Sequence, residues 1–218
     1  MAAQMIDYHL YAALHYQRDF DHYAEDQALR RWQPRSARAR LRVGVLGLGV
    51  LGLAVARALV GLGFPVAGWT RTEASVSDDG VTRHVGAAGL EPFLRGCDLL
   101  ICMLPHTPQT RGLLDAERLS WLPEGAALIN AGRGSLVDEP ALLTALDSGR
   151  LRGAFLDVCA VEPLPLEHPL WTHPKVRITP HIGAETLIEP AIEQVAANLE
   201  RHARGEPLVG LVDRQLQY

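Results

Sequence analysis

An α/β protein built on a Rossmann-type doubly wound parallel sheet is the architecture this 218-residue sequence predicts. Three observations point to it. Short apolar runs alternate with helical segments from Leu41 onward, and a Gly-x-Gly-x-x-Gly spacing, Gly47, Gly49 and Gly52, joins the first run to a helix. Further along, Arg133, Glu162 and His181 each stand just past an apolar run. Alternation of this kind places parallel strands in one sheet with helices on both faces, and the carboxyl ends of such strands line a ligand crevice.

In chain order, the apolar residues Met5, Tyr8, Ala12, Leu14 and Tyr16 fall loosely at helical spacing, so a helix is expected from Ala2. The charged stretch Arg18 to Asp26 reads as a polar connector. Trp32, Pro34 and the run Ser36 to Arg40 read as a linker. Strands are expected at VGVLG, PVAGW, DLLICML, AALIN and GAFLDV, and helices at Val50 to Leu62 and Leu136 to Leu146. The last element, Leu187 to Arg204, sets Ile188, Ile192, Val195 and Leu199 on one apolar stripe that must be covered by something.

A 48% hydrophobic composition is enough for a real core, and a formal net charge of -4 supplies no basic field for phosphate backbones, so nucleic acid is not an expected partner. Cys97, Cys102 and Cys159 lack ligand-like spacing, and Cys102 and Cys159 lie in apolar runs where reduced, packed thiols are expected. His168 and His173 flank Trp171 without a partner at metal spacing, so no metal is expected. With neither a long apolar window nor a signal-like start, the expectation is a cytoplasmic protein that engages no membrane.

The glycines have separate tasks. Gly47 allows the tight turn, Gly49 lets backbone approach a pyrophosphate, Gly52 lets helix and strand pack closely, and the helix N-terminus offers N–H groups to phosphates. About 20 residues on, where an acidic residue would take the ribose hydroxyl of NAD, the chain reads Thr70-Arg71-Thr72. A cation between two hydroxyls suits a 2′-phosphate, so NADP is preferred over NAD. For reduction of a 2-keto acid, Arg133 would hold carboxylate and carbonyl and His181 would supply the proton. Glu162 would fix the tautomer of His181 and favour its protonated ring.

With these residues in view, the chain resembles the D-2-hydroxyacid dehydrogenases, most closely the glyoxylate/hydroxypyruvate reductase A group. The stretches that carry the likeness are MLPHTPQTRGLLD, LINAGRGSLVDEPAL, GAFLDVCAVEPLP and TPHIGAET, with weaker likeness at both termini. The resemblance implies Arg133, Glu162 and His181 as the catalytic set, Val50 and Leu51 at the pyrophosphate, and Pro105 and Thr110 near the cofactor. It also implies Ala131, Arg133, Gly183 and Ala184 around the nicotinamide, with His181 beside it and Asp157 on the carboxamide. It implies an interdomain helix and linker over 1–40, a cofactor domain over 41–182, and a helix and tail over 183–218 that return to a flavodoxin-like substrate lobe. Most of that lobe would precede Met1, leaving the terminal helices as its remnants. An NADPH-dependent reductase of glyoxylate or hydroxypyruvate, acting as a homodimer, is the leading expectation. The alternatives are a dinucleotide-binding module with little or no catalysis and a dehydrogenase for a larger acid such as phosphoglycerate.

Overall fold

The computed structural model describes residues 1–72 and 78–212. Seven parallel strands form one sheet in the order β3-β2-β1-β4-β5-β6-β7. The strands are β1 Val43–Leu46, β2 Val66–Thr70, β3 Val81–Val85, β4 Leu99–Cys102, β5 Ala126–Asn130, β6 Leu151–Leu156 and β7 Val176–Ile178. The order reverses between β1 and β4, and at such a switch point the loops leaving neighbouring strands part to open a crevice.

Every residue of β1, β4 and β5 is buried, which is why these strands read as continuous apolar runs. Successive side chains go to opposite faces. Val43, Val45, Leu99, Ile101, Ala127 and Ile129 pack on α1 (Ala2–Gln17) and α3 (Val50–Gly61), through Ala12, Ala13, Tyr16, Val55 and Leu59. Leu46, Leu100, Cys102 and Leu128 pack on α4 (Gly86–Arg95), α5 (Ala116–Trp121) and α6 (Glu139–Asp147). Each fully buried Leu or Ile contributes about 1.5–3 kcal/mol.

The structure corrects several expectations. The stretch read as a polar connector contains α2, Phe20–Ala28, whose buried Asp26 takes ion pairs from Arg31 and Arg35 at 3.0 and 3.1 Å. The helix expected from Leu136 begins at Glu139, because the Asp138 carboxylate caps it by accepting from the Ala141 N–H. Ahead of it, Gly134–Leu136 forms one tight 3-10 turn. Leu14, counted on the apolar face of α1, is exposed. The final helix, α7, spans Ile188–Ala203 as expected, but none of its residues is buried, and Ile188, Ile192, Val195 and Leu199 are 60–75% exposed.

Cys97, Cys102 and Cys159 are buried and form no disulfide, and the Cys97 thiol donates to the Phe93 carbonyl at 3.0 Å. His9 is also buried: its Nδ1–H donates to the Met5 carbonyl at 2.7 Å, and burial pushes its pKa down to about 4. Among the described residues, no helix is long and apolar enough to cross a membrane.

Candidate active site

Gly47 closes β1 with φ +109, a conformation that L side chains rarely adopt. At Gly52 a Cβ would stand 1.9 Å from the Gly47 carbonyl oxygen, so helix and strand can approach this closely only without a side chain. Gly49 has open space where a Cβ would be, and the following Val50 is 87% exposed. Together with Leu51 and Gly52 these residues form the first turn of α3, which no side chain caps and no acidic residue occupies. An uncapped, acid-free helix start facing an opening is a fit site for pyrophosphate.

The opening is a cavity of about 290 Å³ in which Gly47 and Gly49 meet Thr70, Arg71 and Thr72 from the end of β2. Pro105 and Thr110 from the loop after β4 line the same space. Thr70 turns its hydroxyl proton to the Thr72 carbonyl at 2.9 Å. Thr110 fixes its own loop, donating to the Pro105 carbonyl at 2.7 Å while accepting from the Thr107 N–H at 2.8 Å. Met103, Leu104 and Gln109 also line the cavity and had no separate signal in the sequence.

Arg133, Glu162 and His181 follow β5, β6 and β7 respectively. The His181 ring gives Nδ1 to Glu162 Oε2 at 2.7 Å; a carboxylate only accepts, so Nδ1 carries the proton and Nε2 is left for substrate chemistry. Glu162 Oε1 takes the Cys159 N–H at 3.0 Å. Burial alone would raise the Glu162 pKa. The hydrogen bonds from His181 and Cys159, with the nearby charges of His181 and Arg133, outweigh it and hold the carboxyl below its ordinary range. The Cys159 thiol beside them is pushed up to about 11, by burial first and then by the surrounding carboxylates.

Arg133 is exposed and hydrogen-bonds the Gly132 carbonyl at 2.6 Å. Its loop is anchored by Asn130, a buried residue the sequence reading passed over, whose Nδ2 donates to the Arg133 carbonyl at 3.0 Å. At Gly134 a Cβ would stand 1.9 Å from the Cys159 carbonyl carbon, so the Arg133 loop meets the Glu162 loop backbone to backbone. Gly183 lies against both Ala131 and Asp157, with its own N–H on Asp157 Oδ2 at 2.8 Å. Ala184 packs on the same apolar cluster as Ala131. A second cavity, about 700 Å³, adjoins Asp157, Glu162 and His181.

His168 and His173 lie apart, on Glu139 and Asp147 respectively. Among the described residues one group has ligand-like spacing, Asp19, Asp21 and His22, and the Arg152 guanidinium already bonds both of its carboxylates.

The family model described as "D-isomer specific 2-hydroxyacid dehydrogenase, NAD binding domain" matches residues 10–183. The chain belongs to that family. It is 44% identical to a glyoxylate/hydroxypyruvate reductase A of Salmonella newport (strain SL254) over 220 residues, covering all of this chain and 70% of that relative. A family member from Xanthobacter autotrophicus Py2, solved in complex with NADPH and MES, superposes with a TM-score of 0.96 at 42% identity, covering 100% of this chain and 90% of that one. The NADPH-dependent glyoxylate/hydroxypyruvate reductase of Sinorhizobium meliloti, in complex with NADP and sulfate, gives 0.94 at 35% identity, covering 100% and 70%.

Proposed function

We propose that this chain binds NADPH and reduces a small 2-keto acid, glyoxylate or hydroxypyruvate, to the 2-hydroxy acid. The observation that supports this most directly is the 2.7 Å His181–Glu162 pair with Arg133 close enough to bias the carboxylate. The first turn of α3, with Gly47, Gly49, Val50, Leu51 and Gly52, takes the pyrophosphate. Arg71, flanked by Thr70 and Thr72, takes the 2′-phosphate, which favours NADP; NAD remains a second cofactor. Pro105 and Thr110 wall the cleft, while Ala131, Gly183 and Ala184 bound the nicotinamide beside His181.

Among the described residues Asp157 Oδ2 accepts only the Gly183 N–H, which leaves a lone pair for a carboxamide N–H. When bound, NADPH supplies the hydride. Arg133 orients the substrate carboxylate and keto oxygen, His181 gives a proton to the developing alkoxide, and Glu162 balances the charge of the protonated ring. The names of the Salmonella and Sinorhizobium relatives support the substrate and cofactor. The Xanthobacter relative, solved with NADPH, has a chain that this one covers to 90%, which supports cofactor binding over this extent of sequence.

We place the protein in the cytoplasm, consistent with three unpaired thiols, as a homodimer joined through the N-terminal helix and the Tyr-bearing stretch that follows it. We divide it at 41–182 for the cofactor domain and 183–218 for a helix and tail that serve another lobe. The bare stripe of α7 is the support for that last assignment. The chain spans 70% of the Salmonella relative's length, and that favours one competing reading, a dinucleotide-binding module without turnover.

The deciding experiment follows oxidation of NADPH and NADH with glyoxylate and hydroxypyruvate, with cofactor binding read separately by nicotinamide fluorescence. His181→Asn is expected to lower kcat by about 10²- to 10⁴-fold while binding persists. An unchanged kcat would remove His181 from the chemistry, and binding without turnover in the unaltered chain would leave the module reading. Arg71→Ala should weaken NADPH far more than NADH; equal loss for both would end its assignment to the 2′-phosphate.

A further inference from the structure

We propose that Tyr8, on α1, is a positioning residue for the loop that carries His181, an inference that rests on the reading of His181 as proton donor. Between Ile178 and Ile188 the chain forms neither helix nor strand, and His181 itself sits in the left-handed region with φ +58. A non-glycine residue adopts that conformation only when its surroundings hold it there. Two sets of contacts do so.

The first set centres on Asp157, which is only 2% exposed. Its backbone carbonyl takes the His181 N–H at 2.8 Å. Its Oδ1 takes the Ile182 N–H, and its Oδ2 the Gly183 N–H, both at 2.8 Å. Oδ1 also accepts the Thr179 hydroxyl at 2.7 Å. That bond uses the only hydroxyl proton of Thr179, because a carboxylate has none to give.

The second set comes from α1. Tyr8 Oη lies 2.7 Å from Thr179 Oγ1, and since the threonine proton is committed, the phenol must be the donor. The chain of donors therefore runs in one direction, Tyr8 to Thr179 to Asp157. Burial, followed by the charge of Asp157, raises the Tyr8 pKa against the pull of Thr179, so the phenol keeps its proton throughout the working range. One helical turn earlier, on the same face of α1, Gln4 Oε1 accepts the Glu185 N–H at 2.8 Å. Helix α1 thus holds the loop at 179 and at 185, and Asp157 holds the residues between.

The full chain carrying Tyr8→Phe, Thr179→Val or Thr179→Ser tests this. Backbone amide exchange is measured without cofactor, and kcat and KM with NADPH and glyoxylate. Tyr8→Phe is expected to speed exchange at Ile182 and Gly183 about tenfold and to lower kcat about tenfold. The KM, the NADPH affinity and the global melting temperature should hold, the first two within about twofold. Thr179→Val should do more, and Thr179→Ser, which keeps the hydroxyl, should restore slow exchange. Unchanged exchange in Tyr8→Phe, whatever Thr179→Val does, or a rise in KM at constant kcat, would overturn the assignment. If the chain turns over no keto acid yet the two amides respond, the reductase reading falls and the holding role of Tyr8 stands. If it turns over and Tyr8→Phe matches it in exchange and kcat, the reverse follows.

Discussion

Helices α1 and α7 are both sixteen residues long, yet one is embedded in the protein and the other lies bare. Helix α1 buries Met5, His9, Ala12, Ala13, His15, Tyr16 and Gln17, and its aromatic rings meet Phe155 of β6 edge-on from Tyr8 at 5.7 Å and Tyr11 at 5.8 Å. Helix α7 buries nothing, although its apolar stripe is the more regular of the two. A regular stripe therefore states that a helix needs a cover, and not that the same stretch of chain provides one. Helix α1 packs with an irregular pattern in which the small Ala12 and Ala13 join the cluster that holds Val55, Ala56 and Leu59 of α3, while Tyr16 lies beside Gly153 of β6.

That contrast can be broken or sharpened by experiment. Tyr16→Ala should cost about 3–5 kcal/mol in denaturant unfolding, since Tyr16 is fully buried and touches the backbone at Gly153. A loss under about 1 kcal/mol would mean that α1 is no more integral than α7. A smaller effect should come from acid. Arg152 of β6 grips Asp21 at the start of α2 with bonds of 2.6 and 2.9 Å. Burial would raise the Asp21 pKa, but the hydrogen bonds and charge of Arg152 outweigh it and hold the carboxyl low.

A carboxyl depressed in the folded state stabilises above its unfolded pKa of about 3.9, and that contribution is lost as pH falls through the lower folded value. Urea midpoints should therefore fall more steeply in acid for the unaltered chain than for Asp21→Asn; parallel curves would leave Asp21 without that role. Least of all, Leu199→Ala on α7 should change stability by no more than about 0.5 kcal/mol. A larger loss in this chain alone would show that the stripe is covered in solution.

The central strands were legible because burial on both sides forces unbroken apolar runs. Of the two edge strands, β3 had no place in the sequence reading and β7 entered it only as the strand end before His181. β3 mixes Thr82, Arg83 and His84 between its valines, and β7 has only three residues. Helix α4 was hidden by Gly86, Gly89 and Pro92, poor helix formers that burial of Leu90, Phe93 and Leu94 overrides. Within the site, residues offering a charge or a special backbone conformation stood out, as Gly47, Arg71, Arg133, Glu162 and His181 did. Asn130, Gln4 and Tyr8 act only through other residues, and nothing in their local pattern marks them.

The meeting of Gly134 with the Cys159 backbone has a consequence for how the site tolerates change. The separation between the loop of Arg133 and that of Glu162 is set where the Gly134 backbone lies against the Cys159–Ala160 peptide. Contact between backbones thus acts as the gauge block for the spacing of Arg133 from Glu162 and His181. Core substitutions that shift side chains by a few tenths of an ångström leave that spacing intact, whereas one added methyl at position 134 would reset it. The spacing of those three side chains is insulated from drift in the core and exposed to a single carbon atom.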